Sequence, residues 1–84
     1  MTDIEFDVMD ELYFVIWFSD LQKATELEEA ELKSCLIKLI EKEWVKCFKN
    51  IDEEELKDNI DFDNNYREYA YLATKKGLLA HNSK

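Results

Sequence analysis

Residues 28–49 read Glu28-Glu29-Ala30-Glu31-Leu32-Lys33-Ser34-Cys35-Leu36-Ile37-Lys38-Leu39-Ile40-Glu41-Lys42-Glu43-Trp44-Val45-Lys46-Cys47-Phe48-Lys49. The change of period inside this stretch decides the fold. Leu32, Cys35, Leu36, Leu39 and Ile40 recur at spacings of three and four, so 28–42 is an amphipathic helix. Glu29 and Lys33 form a favourable i,i+4 pair on its outer side, and Lys38 and Lys42 a repelling one. Ile37 stands about 100° off the apolar stripe at 3.6 residues per turn. It is either exposed or packed beneath the following loop. From Trp44 the period drops to two, and 44–49 alternates as a strand with one polar face.

Working towards the N-terminus, Ser19-Asp20-Leu21-Gln22 has the form of a capping box. It predicts a short helix over 20–25 with Leu21 and Ala24 inward. In residues 3–17, Ile4, Val8, Leu12 and Val15 make one stripe and Phe6, Met9, Tyr13 and Ile16 a second. Asp3, Asp7, Asp10 and Glu11 take the remaining face. This predicts a helix that gives way near Tyr13 or Phe14 to a short strand ending at Phe18.

Towards the C-terminus, residues 50–66 are acidic and Asn-rich, and 52–57 fits one or two helical turns. Residues 66–73 are aromatic and alternating, a second strand that pairs antiparallel with 44–49. Thr74 is placed to cap a last helix over 75–81. The predicted core is Leu12, Leu21, Leu32, Leu36, Leu39 and Val45.

The chain of 84 residues is 46% hydrophobic and 37% charged, with one Gly and no Pro. That length allows a single domain over 1–84. The scarcity of turn residues argues against a many-turned sandwich or barrel. One glycine excludes a Walker A loop and a dinucleotide fingerprint. One His and two Cys are too few for a Cys/His zinc site, and no cofactor is implied. No apolar run is long enough to span a membrane, and the acidic N-terminus is neither a signal nor a transit peptide. A cytoplasmic location with Cys35 and Cys47 as buried, reduced thiols is the expectation.

The net charge of −9 is unevenly spread: −9 over 1–31, +3 over 32–49, −6 over 50–69 and +3 over 70–84. Such a field repels nucleic acid and anionic membranes.

Three stretches, taken in order, carry a resemblance. They are Ser19-Asp20-Leu21-Gln22-Lys23-Ala24-Thr25-Glu26-Leu27, the run from Ala30 through Glu41-Lys42-Glu43-Trp44-Val45, and Tyr71-Leu72-Ala73-Thr74-Lys75-Lys76-Gly77. Together, over about residues 5–80, the chain resembles the winged-helix domains of small bacterial transcriptional regulators. The resemblance implies an α+β fold: a three-helix core, a short β-hairpin wing and a short C-terminal helix. It also implies that the third helix would enter a DNA groove by its first turn. The sequence departs from that pattern in having Glu43 where a Gly usually closes the third helix. It also has a long wing segment, and acids at the positions that would meet DNA.

The candidate interaction surface is therefore Glu28, Glu29, Glu31, Lys33, Ile37 and Lys38. The candidate wing is Asp52, Glu53, Glu54, Glu55, Asp58, Asp61, Asp63 and Tyr66. Lysines supply most of the affinity of a DNA reader, and here they would have to come from Lys33, Lys38, Lys42, Lys46, Lys49, Lys75 and Lys76. Asp61-Phe62-Asp63-Asn64-Asn65 begins like a calcium loop. However, Tyr66 and Leu72 stand where such a loop needs Gly and Glu. His81 reads as a surface residue. No nucleophile has a His/Asp setting nearby, so no enzymatic activity or small-molecule substrate is expected. Many large rings, among them Tyr13, Phe14, Trp17 and Trp44, point to a protein partner or self-association. The alternative is a DNA-binding regulator acting as a dimer or with a basic partner.

Overall fold

The computed structural model describes residues 1–49, 55–56 and 62–82, with the backbone alone at 55–56. Its described elements make a small α+β domain. They are α1 (Asp3–Asp10), β1 (Ile16–Trp17), α2 (Phe18–Thr25), α3 (Glu29–Glu41), β2 (Val45–Phe48), β3 (Glu55–Leu56), α4 (Phe62–Asn65), a 3₁₀ turn (Tyr66–Glu68), β4 (Ala70–Ala73) and α5 (Lys75–Asn82).

The strands form one antiparallel sheet in the order β1-β4-β2-β3. The predicted pairing of 44–49 with 67–73 is present, from Val45↔Ala73 to Phe48↔Ala70. Residues 52–57 do not form helical turns throughout, because Glu55 and Leu56 pair with Phe48 and Cys47. β2 is thus held on both sides. β4 is also shorter than the alternating pattern suggested. Tyr66–Glu68 coil into the 3₁₀ turn, and the Tyr71 hydroxyl donates to the Tyr66 carbonyl at 2.7 Å.

α1 begins with a capping box that the sequence reading did not single out. The Glu5 amide donates to Thr2 Oγ1 at 3.1 Å, and the Thr2 amide donates to the Glu5 carboxylate at 2.9 Å. α1 stops earlier than the periodicity suggests, because the Leu12 carbonyl accepts from Ala73 N of β4 at 2.9 Å. The Ser19 box is not formed. α2 starts at Phe18 with Trp17 as an N-cap lacking a side-chain bond. Phe18 N donates to Tyr69 O, and its ring is buried 5.0 Å from that of Tyr66. Burial and strand pairing there override the local capping signal.

All six predicted core residues are buried, together with Val8, Met9, Phe18, Cys35, Cys47 and Tyr71. They lie between the three N-terminal helices and one face of the sheet. Cys35 and Cys47 are both buried and form no disulfide. Ile4, expected inward, is exposed, whereas Glu5 is buried. Thr74 caps α5 as expected, accepting from Gly77 N at 2.9 Å. No helix among the described residues is long and apolar enough to cross a membrane.

Candidate interaction surface

The six residues singled out on the third helix do not share one face. Glu28 is the exposed N-cap of α3. Glu29 and Lys33 turn to one flank, towards residues 62–68. The Tyr66 hydroxyl donates to Glu29 Oε2 at 2.9 Å, and Arg67, the chain's sole arginine, donates to both carboxylate oxygens, through Nε at 2.7 Å and through a terminal nitrogen. The Arg67 and Tyr66 hydrogen bonds pull the Glu29 carboxyl down to about 2, while Glu29 pushes the Arg67 guanidinium up. Lys33 pairs with Asp63 at 3.3 Å and sits 4.8 Å over the Tyr66 ring. The expected i,i+4 pairing of Glu29 with Lys33 gives way to these partners because Arg67 offers two aligned donors to one carboxylate.

Tyr66 is therefore not an exposed wing residue. It is buried against Phe18 and Phe62. Of the remaining wing candidates, Asp63 is exposed, and β3 gives only the backbone of Glu55. Asp52, Glu53, Glu54, Asp58 and Asp61 lie outside the described residues.

Glu31 and Lys38 face the other flank, an open groove of about 630 Å³ between α1 and α3. Ile4, Ala30, Ser34 and Cys35 line it together with Thr2, Glu5 and Lys42. Lys42 Nζ donates to Glu5 Oε2 at 2.8 Å, so the expected repulsion between Lys38 and Lys42 is relieved. Burial pushes the Glu5 carboxyl up, but the Lys42 and Thr2 hydrogen bonds and the Lys42 charge outweigh it and hold the group below its usual value. Burial raises the Cys35 thiol to about 11, which leaves it protonated and a poor nucleophile at neutral pH. Ile37 is half-buried and lines a smaller cavity of about 190 Å³ with Ile40, Glu41 and Phe62.

Three of the seven lysines that a phosphate-binding stripe would need have acidic partners within the chain. Lys33 pairs with Asp63, Lys42 with Glu5 and Lys76 with Glu43. Lys42 and Lys46 also lie over the rings of Trp44 and Phe48. Lys38, Lys49 and Lys75 have no ion pair among the described residues. No group of three or more His, Cys, Asp and Glu among those residues could hold a metal ion.

His81 is not on the surface. It is 8% exposed, stacked on Phe6 at 4.2 Å between ring centroids. Its Nδ1 lies 2.9 Å from the Tyr13 hydroxyl, and its Nε2 lies 2.7 Å from Asp10 Oδ1 without hydrogen-bond alignment. The position of His81 in a C-terminal helical turn signalled only a favourable place for a cation. Contacts with Phe6 and Asp10 of α1, and with Tyr13 some 68 residues away, bury it. Sequence reasoning likewise passed over Arg67. Being the sole arginine in a −9 chain is the signal that could have marked it as a carboxylate clamp. No family model, curated protein or solved structure matches the chain.

Proposed function

We propose that this chain is a winged-helix-type module that binds another protein through α3 and its α1-side groove, without catalytic chemistry of its own. The in-chain neutralisation of Lys33, Lys42 and Lys76 carries this reading. It engages three of the seven lysines a DNA reader would draw on, Lys42 through the buried Glu5 and the other two through exposed carboxylates. The exposed strip left on α3 is Ala30, Glu31, Ser34 and Lys38, small and of mixed charge. These four residues line the groove between α1 and α3 together with Ile4, Cys35 and Lys42, a concave surface of the shape that accepts a partner's side chains. The helix order and the β1-β4-β2 pairing support the winged-helix arrangement, with β3, α4 and the 3₁₀ turn as elaborations of the wing connection. Two buried cysteines outside any disulfide fit a reducing cytoplasm. The second reading, a DNA-binding regulator acting as a dimer or with a basic partner, draws on Lys38, Lys49 and Lys75.

A salt titration with random duplex DNA separates the two. The expected result is no binding at about 150 mM salt tighter than the non-specific range of ~10⁻⁴–10⁻⁶ M. No gain is expected as salt falls to about 0.01 M, where the Debye length reaches about 30 Å and the acids repel from further away. Binding that tightens steeply as salt falls would replace the proposal with the DNA-binding reading. In the source cells, a photocrosslinking side chain at Ser34 should give an adduct destroyed by protease and unaffected by nuclease.

A further inference from the structure

We propose that the last turn of α5 is a proton-operated latch: protonated His81 ties it to α1 and to the turn that follows α1, and loss of that proton loosens it. His81 is 8% exposed and stacks on Phe6. Its two ring nitrogens face different partners. Nε2 lies 2.7 Å from Asp10 Oδ1, and Nδ1 lies 2.9 Å from the Tyr13 hydroxyl. The same hydroxyl donates to Asn82 Oδ1 at 3.0 Å. Asn82, Tyr13, His81 and Asp10 therefore form one run of three polar contacts from the end of α5 to α1.

Each of these contacts needs a proton between its two heavy atoms. The Tyr13 hydroxyl carries one and a neutral imidazole one, so two protons serve three contacts. An imidazolium supplies two itself, and all three contacts are served. Nε2 is not aligned with Asp10 as a hydrogen bond, so charge attraction is what an imidazolium gains there. A bare Nε2 lone pair at 2.7 Å from a carboxylate oxygen would be repelled. When the ring loses a proton, the remaining one therefore stays on Nε2 and Nδ1 becomes an acceptor. The Tyr13 proton then turns to Nδ1, and Asn82 loses its donor. One proton decides whether the last turn is tied.

The charges around the ring favour the protonated form. Asp10 is in contact with it, and α1 and the turn after it bring Asp3, Asp7 and Glu11 as well, with no Lys or Arg in residues 1–18. His81 also lies in the last turn of α5, where a helix end favours a cation. Lys75 and Lys76 oppose this from the first turn of α5, and Lys76 is paired with Glu43. β4, which also packs on α5, brings no charged residue, and its Tyr71 hydroxyl is turned to Tyr66. Burial opposes the charge too, but the Phe6 ring face is a favourable neighbour for a cation. The folded chain thus binds this proton more readily than the unfolded chain does. Its stabilisation is fully present below about pH 6.5, the ordinary value of a free imidazole, and is lost as the pH rises above it.

Thermal unfolding of the whole chain at about pH 5.5 and about pH 8.5, on either side of the imidazole range, tests the latch. Asn82→Ala and Asp10→Asn replace exposed side chains, so both variants should fold. Each should melt about 4 °C or more below the wild type at the lower pH. Each gap should shrink by half or more at the higher pH. His81→Gln should show the same narrowing, whatever its loss at the lower pH. The α-amino group titrates in this interval as well, but it is common to all four chains and cancels in the gaps. In the wild type, ¹⁵N relaxation should show residues 80–82 less ordered at the higher pH, with the Thr74-capped first turn unchanged. Gaps that stay constant or widen with pH would overturn the latch. They would mean a neutral ring, with the Asn82 amide turned to donate to Tyr13. Equal order of residues 80–82 at both pH values would overturn it too.

Discussion

A Cβ placed on Gly77 would stand 2.1 Å from the carbonyl oxygen of Trp44 and 2.9 Å from Met9 Cε. The first turn of α5 therefore rests directly on the backbone where α3 passes into β2. That carbonyl cannot withdraw freely, because it accepts from Thr74 N at 2.9 Å while Trp44 N donates to Leu39 O. In an open helix Gly→Ala gains about 1 kcal/mol. Here Gly77→Ala should cost about 1–3 kcal/mol, the range for forcing extra volume into a packed contact. Urea unfolding measures it, and a variant as stable as the wild type would mean that α5 lifts away from Trp44.

The end of α3 sets the next prediction. Glu43 sits at φ 63. Trp44 N donates to Leu39 O and Glu43 N to Ile40 O, the paired bonds of a Schellman ending. A left-handed non-glycine residue costs about 1–2 kcal/mol. The Lys76 pair at 3.6 Å, between two exposed side chains, offsets little of that. Glu43→Gly should raise stability by about 0.5–1 kcal/mol after the added freedom of the unfolded chain is deducted. Loss of stability in this variant would show that Glu43 holds α5 through Lys76 more strongly than the geometry implies.

The same position shows what could be read from the residues. The helix-to-strand switch at 43–44 was legible because Leu32, Leu36 and Leu39 follow one period and Val45 and Cys47 another. Neither signal depends on distant partners. The αL ending was not legible: Glu43 in the place of the usual Gly pointed to a different ending, yet Glu43 takes the left-handed conformation itself. Features set by long-range contacts were not legible. The Ser19 box loses to the burial of Phe18, and His81 is buried only because α1 and Tyr13 reach it. Glu29 and Lys33 sit together on a helical wheel, yet Arg67 and Asp63 separate them. The Thr2-x-x-Glu5 box was readable in principle, since it has the same pattern as the Ser19 box. The candidate surface was legible as residues and not as a surface, because helix spacing alone does not say which flank a neighbouring segment covers.

Leu36 tests the rotation of α3 directly. It is fully buried, as are Leu32 and Leu39. Leu36→Ala should cost about 2–5 kcal/mol. Total stability for a chain of this size is about 4–13 kcal/mol, so the variant should melt far below the wild type. Ser34→Ala, on the exposed side of the same helix, should change stability by less than about 0.5 kcal/mol. Similar losses at both positions would place α3 in a different rotation.

Acid should unfold this protein through two carboxylates that sit on opposite flanks of α3. Glu29 and Glu5 both lie below the ordinary value of 4.5 in the folded chain, Glu29 at about 2. Each binds a proton less readily when folded than when unfolded, so protonation favours the unfolded chain. Their stabilising contribution is fully present above about pH 4.5 and is lost as the pH falls, for Glu29 across the interval down to about 2. Glu29→Gln keeps an acceptor for the Tyr66 hydroxyl but gives up the ionic pairing with Arg67. It should therefore be less stable than the wild type at neutral pH, and the gap should close progressively below about pH 4.5. Glu5→Gln should behave the same way, with the added loss of the charge facing Lys42. Urea midpoints measured from about pH 7 to about pH 2.5 give the two curves. A gap for Glu29→Gln that stays constant across that range would show that Arg67 does not hold the Glu29 carboxylate in solution, and the 62–68 segment would then be free to leave the flank of α3.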